Sequence, residues 1–396
     1  MRLVVTAALL VLAINPALVT SVDVQSIVGT YGLTTATFNF SMPEEALNSD
    51  NANKWIESKW SLANSKVDWG SSNIVFSADP STTSATLVRK NQEPRTKMKP
   101  TTEGNQAAAT PTSVSSPAIT DLNGQAPALR VGYPSGSYSK KTGGTQFYAQ
   151  PIHASGSDNT SSMGNASSNG HLERMLLTYD IWFPSGFAFN KGGKLPGLRG
   201  GPDSHGCSGG NETDGTSCFS TRLMWRNGAS GESKSIYAYI PTSQKGFCNQ
   251  NQVTCNSDFG TSLARNSFAF ATGQWQSIYL LVILNEKDTA NGVVELWYNG
   301  IQALSFKNLV IRKSDSIESI GGLSFSTFFG GDGSDWATPT DQYVYFRNIA
   351  LYGGLGASNL TGAAVKSAAS RPATGPWSLS MGIILGLVSV FVGMWL

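Results

Sequence analysis

The sequence predicts an all-β protein, an antiparallel sandwich with long loop insertions. Three observations carry this. The strongest periodic segments, Trp275–Leu284 and Gly292–Gly300, are rich in β-branched and aromatic residues at strand length. No long helical pattern occurs. Charged residues make up only 14% of the 396-residue chain, which contains 42 glycines, a loop-rich composition.

The elements follow in chain order. Residues 1–21 read as a signal peptide: Arg2 is the basic start, Leu3 to Ala13 is an apolar run, and small residues Val19 and Ser21 frame a cleavage point. The run is short for a membrane span. From Val22 to Trp55 no clear periodicity appears. Ile74–Phe76 and Ala85–Val88 read as early strands, and residues 92–116, rich in Pro, Thr and Lys without an aromatic residue, as an insertion. Ala128–Tyr133 and Thr145–Ala149 look like a strand pair. Residues 156–170 form a second polar insertion, and Glu173–Phe183 is a strand leading into the Gly-rich loop that carries Lys194. Asn299-Gly300 marks a tight turn before a strand at Ile301–Phe306, and Gly321–Phe329 and Tyr343–Tyr352 supply further strands. One domain, residues 22–360, accounts for all of them.

The segment Phe183 to Tyr239 concentrates reactive side chains at strand spacing. In Phe219–Trp225, alternation puts Phe219, Thr221, Leu223 and Trp225 on one face, and Ser220, Arg222 and Met224 on the other. In Ile236–Ile240 the same sorting places Tyr237 and Tyr239 together. Asn227-Gly228 lies between these runs in a hairpin connection. Antiparallel partners share a constant index sum, and Ser220 with Tyr239 and Arg222 with Tyr237 satisfy one register. That register gathers all four on one face.

Phe183-Pro-Ser-Gly-Phe187, Lys191-Gly-Gly-Lys-Leu-Pro-Gly-Leu198, the Ser-x-Arg strand and the Tyr-x-Tyr strand together resemble polysaccharide lyase family 14, over about Trp55 to Tyr352. The resemblance implies a β-jelly roll of concanavalin-like type and β-elimination on a uronic-acid polymer of glucuronan or alginate type. It also implies a site made of Lys194, Ser220, Arg222, Tyr237 and Tyr239. Elimination requires the C5 proton to be removed while charge develops on the neighbouring carboxylate. Lys194 and Arg222 supply positive charge, the latter with a fork that matches a carboxylate. Those cations are expected to lower the phenol pKa, making Tyr237 or Tyr239 the base and acid. Lys194, if desolvated beside another cation, is the alternative base. Ser220 is expected to orient the sugar or phenol, and Gln146 to contact the carboxyl group if its strand borders the same groove.

Several features surround this core. Cys207, Cys218, Cys248 and Cys255 allow three pairings. Cys207–Cys218 with Cys248–Cys255 is favoured, because both bridges would staple loops beside the site strands. Asn39, Asn159, Asn165, Asn211 and Asn359 begin glycosylation sequons. Residues 361–378 form a linker with small residues around Ser367, and 379–396 are an uncharged apolar tail. This pattern predicts a glycosylphosphatidylinositol signal and a lipid anchor at the extracellular face, with a transmembrane anchor as the competing reading.

The expected partner is an acidic polysaccharide. The net charge of +2 lacks the basic block that nucleic-acid binding needs. His153, His171 and His205 lack metal-cluster spacing, so neither metal nor cofactor is expected. Nothing in the sequence demands a second copy, and a monomer is expected. A retaining glucan hydrolase would need two carboxylates about 5 Å apart, and the nearest acidic pair, Glu212 and Asp214, sits in a Gly-rich Cys loop. A non-catalytic carbohydrate-binding or adhesion protein on the same fold is the other alternative.

Overall fold

A computed structural model describes residues 21–82, 126–139, 142–152, 171–202, 206–226, 233–256 and 258–365. The signal segment, both insertions, the strand expected at Ala85–Val88, the Ser367 region, the apolar tail, Asn159, Asn165, His153 and His205 lie outside them.

Two short helices, α1 (Val24–Thr30) and α2 (Ser49–Lys59), precede most of the strands. The strands in chain order are β1 (Ala36–Asn39), β2 (Ile74–Ser77), β3 (Ala128–Tyr133), β4 (Thr145–Ala149), β5 (Leu172–Trp182), β6 (Gly192–Gly200), β7 (Phe219–Arg226) and β8 (Ser233–Tyr239). They continue as β9 (Val253–Thr254), β10 (Thr261–Leu263), β11 (Trp275–Ile283), β12 (Thr289–Ala290), β13 (Gly292–Tyr298), β14 (Ile301–Leu309), β15 (Ile320–Phe329), β16 (Gln342–Leu355) and β17 (Ala363–Ala364).

The back sheet runs β14-β13-β11-β5-β16-β3-β2, with β1 added on β16. The front sheet runs β4-β15-β6-β7-β8-β10-β9, and β12 pairs with β17 apart from both. Every strand pairing in these sheets is antiparallel. This is the jelly-roll sandwich that the sequence predicts.

The core forms where inward side chains of the two sheets meet. Phe147 of β4 stacks on Phe325 of β15 with ring centroids 4.7 Å apart. Trp225 of β7 is fully buried among Phe183, Phe187 and Phe329, and its indole N–H donates to Phe189 O at 3.0 Å. Large rings filling the space under β7 fix which face of that strand is turned outward. The hairpin between β13 and β14 turns on Asn299 (φ 51°) and Gly300 (φ 76°), the left-handed pair that a two-residue turn requires.

Three local expectations are corrected. β3 and β4 are not paired: β3 lies between β2 and β16 in the back sheet, while β4 borders β15 in the front sheet. The segment between them crosses from one sheet to the other, so the short connection is not a hairpin. Lys194 lies within strand β6 rather than in a loop, because the glycines around it permit close approach to β7; a Cβ on Gly193 would lie 2.0 Å from Trp225 Cζ2. Helix α2 is an element that period reading missed. Its N-cap is Asn48, whose side chain accepts the Asn51 amide, and it buries only Ala52 and Ile56.

Candidate active site

The alternation in β7 sends Phe219, Thr221, Leu223 and Trp225 into the core, leaving Ser220, Arg222, Met224 and Arg226 for the outer face of the front sheet. Across β7 and β8, Ser220 opposes Tyr239 and Arg222 opposes Tyr237, the register that the index sum requires. On the other side Lys194 of β6 opposes Met224. Pro196 is an extra residue in β6, where the register with β7 shifts between Leu195 and Gly197. Lys194 and Arg199 therefore both lie on the outer face, while Leu195 and Leu198 are buried in the core.

These side chains meet in a cleft of about 400 Å³ that Gln146, Lys194, Arg222, Met224, Tyr237 and Tyr239 help to line. Lys194 is 9% exposed and Arg222 3%. Lys194 Nζ lies 3.3 Å from the centroid of the Tyr237 ring and donates to Met224 Sδ at 3.2 Å. Arg222 Cζ lies 5.8 Å from the Tyr239 ring centroid, and its Nε is buried with no hydrogen-bond partner. Gln146 accepts from Ser326 Oγ at 3.0 Å and donates to the Tyr148 hydroxyl at 3.3 Å.

Each phenol oxygen accepts a backbone amide. Gly260 N–H donates to Tyr237 at 2.9 Å and Gly210 N–H to Tyr239 at 3.0 Å, with the two hydroxyls 3.4 Å apart. The loops that supply these amides adjoin the two disulfides, Cys207–Cys218 and Cys248–Cys255, which form the pairing favoured from sequence. Gly210 lies inside the first bridge. Asn256, Phe259 and Gly260 follow the second and line the cleft.

The electrostatics differ from expectation in one respect. Burial pushes the Tyr237 phenol above its ordinary range, Tyr239 adds to that effect, and Arg222 pulls in the other direction without prevailing. Burial, followed by the charges of Arg222 and Arg226, holds the Lys194 amine well below the ordinary lysine range. Burial therefore prevails at both groups, and Tyr237 keeps its proton. Ser220 has a structural partner as well: its hydroxyl donates to Cys207 O at 2.6 Å and so fixes the disulfide loop.

A model of polysaccharide lyase 14 matches residues 121–349, more than half of the chain. The chain belongs to polysaccharide lyase family 14. Among solved structures, the PL-14 alginate lyase from Aplysia kurodai is 37% identical, with 58% of this chain and 83% of that chain covered and a TM-score of 0.49. A mutant of alginate lyase Aly36B in complex with alginate trisaccharide is 16% identical, covers 81% of this chain and 99% of its own, and has a TM-score of 0.50; it bears on the fold alone. Exolysin of Paramecium bursaria Chlorella virus 1 is 27% identical over 197 residues, 44% of this chain and 29% of Exolysin. The family 14 chain thus spans under a third of that relative's length.

Sequence reasoning missed several lining residues of this family 14 cleft. Arg226 was legible, because it continues the outward parity of Ser220, Arg222 and Met224 by one step. Arg265, Ser208, Asn256 and Phe259 come from loops, and Trp336 from a short 3-10 turn (Ser334–Trp336), which no alternation rule places. Phe259, 42% exposed, offers a ring face at the cleft. Among the described residues no group of three or more His, Cys, Asp or Glu is placed to hold a metal. Asn39, Asn211 and Asn359 are exposed.

Proposed function

We propose that this chain cleaves a uronic-acid polymer of alginate or glucuronan type by β-elimination, with Lys194 as the base. The observation that carries the reading is the placement of the Lys194 amine. It is buried, depressed in basicity beside Arg222, and set over the face of Tyr237. An amine depressed in this way gives up its proton more readily than an ordinary lysine; its neutral form has a lone pair for the C5 proton, and the ring face then stabilises the ammonium that results.

In this scheme Arg222 and Gln146 hold the carboxylate on which charge develops. The C5–H electrons form the C4–C5 double bond, and the C4–O bond breaks. The departing oxygen takes its proton from a phenol of the Tyr237–Tyr239 pair. Tyr237 suits that role, since burial keeps it protonated. Both proton transfers are assigned to side chains, and treatment with a chelator is expected to leave the rate unchanged. The similar protein from Aplysia kurodai, 37% identical, is an alginate lyase, which supports alginate as the first substrate to test.

The same reading places the protein outside the cell, in a compartment where disulfides persist. Both bridges and the exposed Asn39, Asn211 and Asn359 support that placement. Surface anchoring through a lipid and action as a monomer belong to the proposal too.

The test is a lyase assay on the purified protein with polymannuronate, polyguluronate and glucuronan offered separately. The readout is the ultraviolet absorbance of the unsaturated sugar. A rise with one of them, abolished by Lys194→Met, is the expected result. Binding without any unsaturated product would overturn the reading in favour of a carbohydrate-binding protein.

A further inference from the structure

The cleft continues past Lys194 to two cations that the elimination scheme gives no contact with the reacting uronate, although the charge of Arg226 also acts on the Lys194 amine. Arg226 ends β7 on the same face as Arg222, and Arg265 reaches the cleft from the segment after β10. Arg265 donates to Ser262 Oγ at 3.2 Å, while the Nε of Arg226 is buried with no hydrogen-bond partner. Among the described residues neither guanidinium forms an ion pair with a carboxylate. Burial, and then the charge of Arg265, draw Arg226 down to about 10. Arg226 is partly buried and Arg265 is exposed, and a buried guanidinium nitrogen facing a second positive charge is costly unless an anion completes the pair.

Spacing separates this anion from the one at Arg222. Four steps along a strand, at about 3.3 Å each, put the Cα atoms of Arg222 and Arg226 about 13 Å apart. That exceeds the length of one sugar ring, which leaves room for Arg226 and Arg265 to meet a sugar other than the one at Arg222. A guanidinium fork matches the planar, two-oxygen geometry of a carboxylate.

We propose that Arg226 and Arg265 form a second carboxylate subsite, which holds a uronate other than the one undergoing elimination. The ligand class rests on the uronate-lyase reading. The consequence is selectivity for runs of uronate, because an isolated uronate flanked by neutral sugars satisfies only one of the two charged positions.

The test measures binding, so that it stands apart from turnover. Lys194→Met full-length chain is titrated with fully charged polyuronate. It is also titrated with the same polymer after most carboxyl groups have been reduced to neutral alcohols. Adding Arg226→Gln is expected to weaken the charged polymer roughly tenfold, the scale of one charge-assisted hydrogen-bonded contact, and to change affinity for the reduced polymer less than about twofold. Arg226→Lys should recover part of the loss, and Arg265→Gln should reproduce it in part. A melting curve for each variant establishes that it is folded. Equal weakening on both polymers, or none on the charged one, overturns the subsite. Wild-type protein that releases no unsaturated product, yet loses charged-polymer binding through Arg226, would retain the subsite and reject the chemistry.

Discussion

Lys194 and Tyr237 lie on separate strands with β7 between them, yet the lysine amine stands 3.3 Å from the centre of the tyrosine ring. The contact spans one intervening strand, and Met224 on that strand fills the space beneath the amine. Burial makes the ammonium form expensive while the ring face makes it tolerable. A general base alternates between the two states under those opposing influences.

Replacing Lys194 by Met is expected to lower kcat by about 10²- to 10⁴-fold, the usual contribution of a positioned base. Stopped assays with the variant and wild type at equal loading check this. The variant should also be more stable near neutral pH. A lysine with a depressed folded-state pKa is protonated preferentially in the unfolded chain, so wild-type stability rises with pH until the ordinary lysine pKa of 10.5 is passed. The stability gap between the two proteins should therefore narrow as pH rises toward that value, as urea melts at several pH values would show.

The pH profile of kcat/KM should have an ascending limb that belongs to Lys194, lying below the ordinary lysine range because only the neutral amine accepts the proton. Tyr237, shifted upward, should keep its proton across that limb. In Tyr237→Phe the ascending limb should persist while the plateau falls. Disappearance of the limb instead would make the phenol the base.

Arg222→Ala should cost about a hundredfold or more in kcat/KM, the scale of a lost charge-stabilising donor in a water-poor site. Free guanidinium in the buffer should recover some of the rate. Full activity in this variant would remove the carboxylate clamp from the scheme.

The amide clamps predict a redox effect. Opening Cys207–Cys218 with the Cys207→Ser/Cys218→Ser double substitution should cost about 3 kcal/mol of stability. It should also loosen both the Gly210 contact to Tyr239 and the Cys207 carbonyl that Ser220 holds. Activity should fall at temperatures where circular dichroism still reports a folded protein. Gly260→Ala tests the other clamp, since its Cβ would lie 2.8 Å from Tyr239 Cε2.

Alternation made much of this legible beforehand. Phe219–Trp225 and Ile236–Tyr239 lie in strands whose inward residues are mostly apolar, so a register placing Arg222 beside Tyr237 follows from parity. Ser220 shows the limit of that rule: parity gives a face, and the Cys207 carbonyl then takes the hydroxyl. The phenol pKa was misjudged because charge was weighed without burial, which dominates at Tyr237. The pairing of β3 with β4 was misjudged because a short connection in a sandwich can join two sheets as readily as two neighbours. Arg265 and Phe259 come from loops after β10 and Cys255, where no period exists to read.

The extra residue at Pro196 has a consequence for how this strand can change. Lys194 and Leu195, and then Leu198 and Arg199, each divide between outer face and core, and the order of the two kinds reverses across the proline. Flattening the bulge while keeping the residue would exchange sides for everything on one flank, carrying either a cation into the hydrocarbon interior or a leucine onto the outer face. Deleting the residue outright would leave four steps from Lys194 to Arg199, and simple alternation would keep both outside. What β6 must preserve is therefore the match between its residue count and its shape.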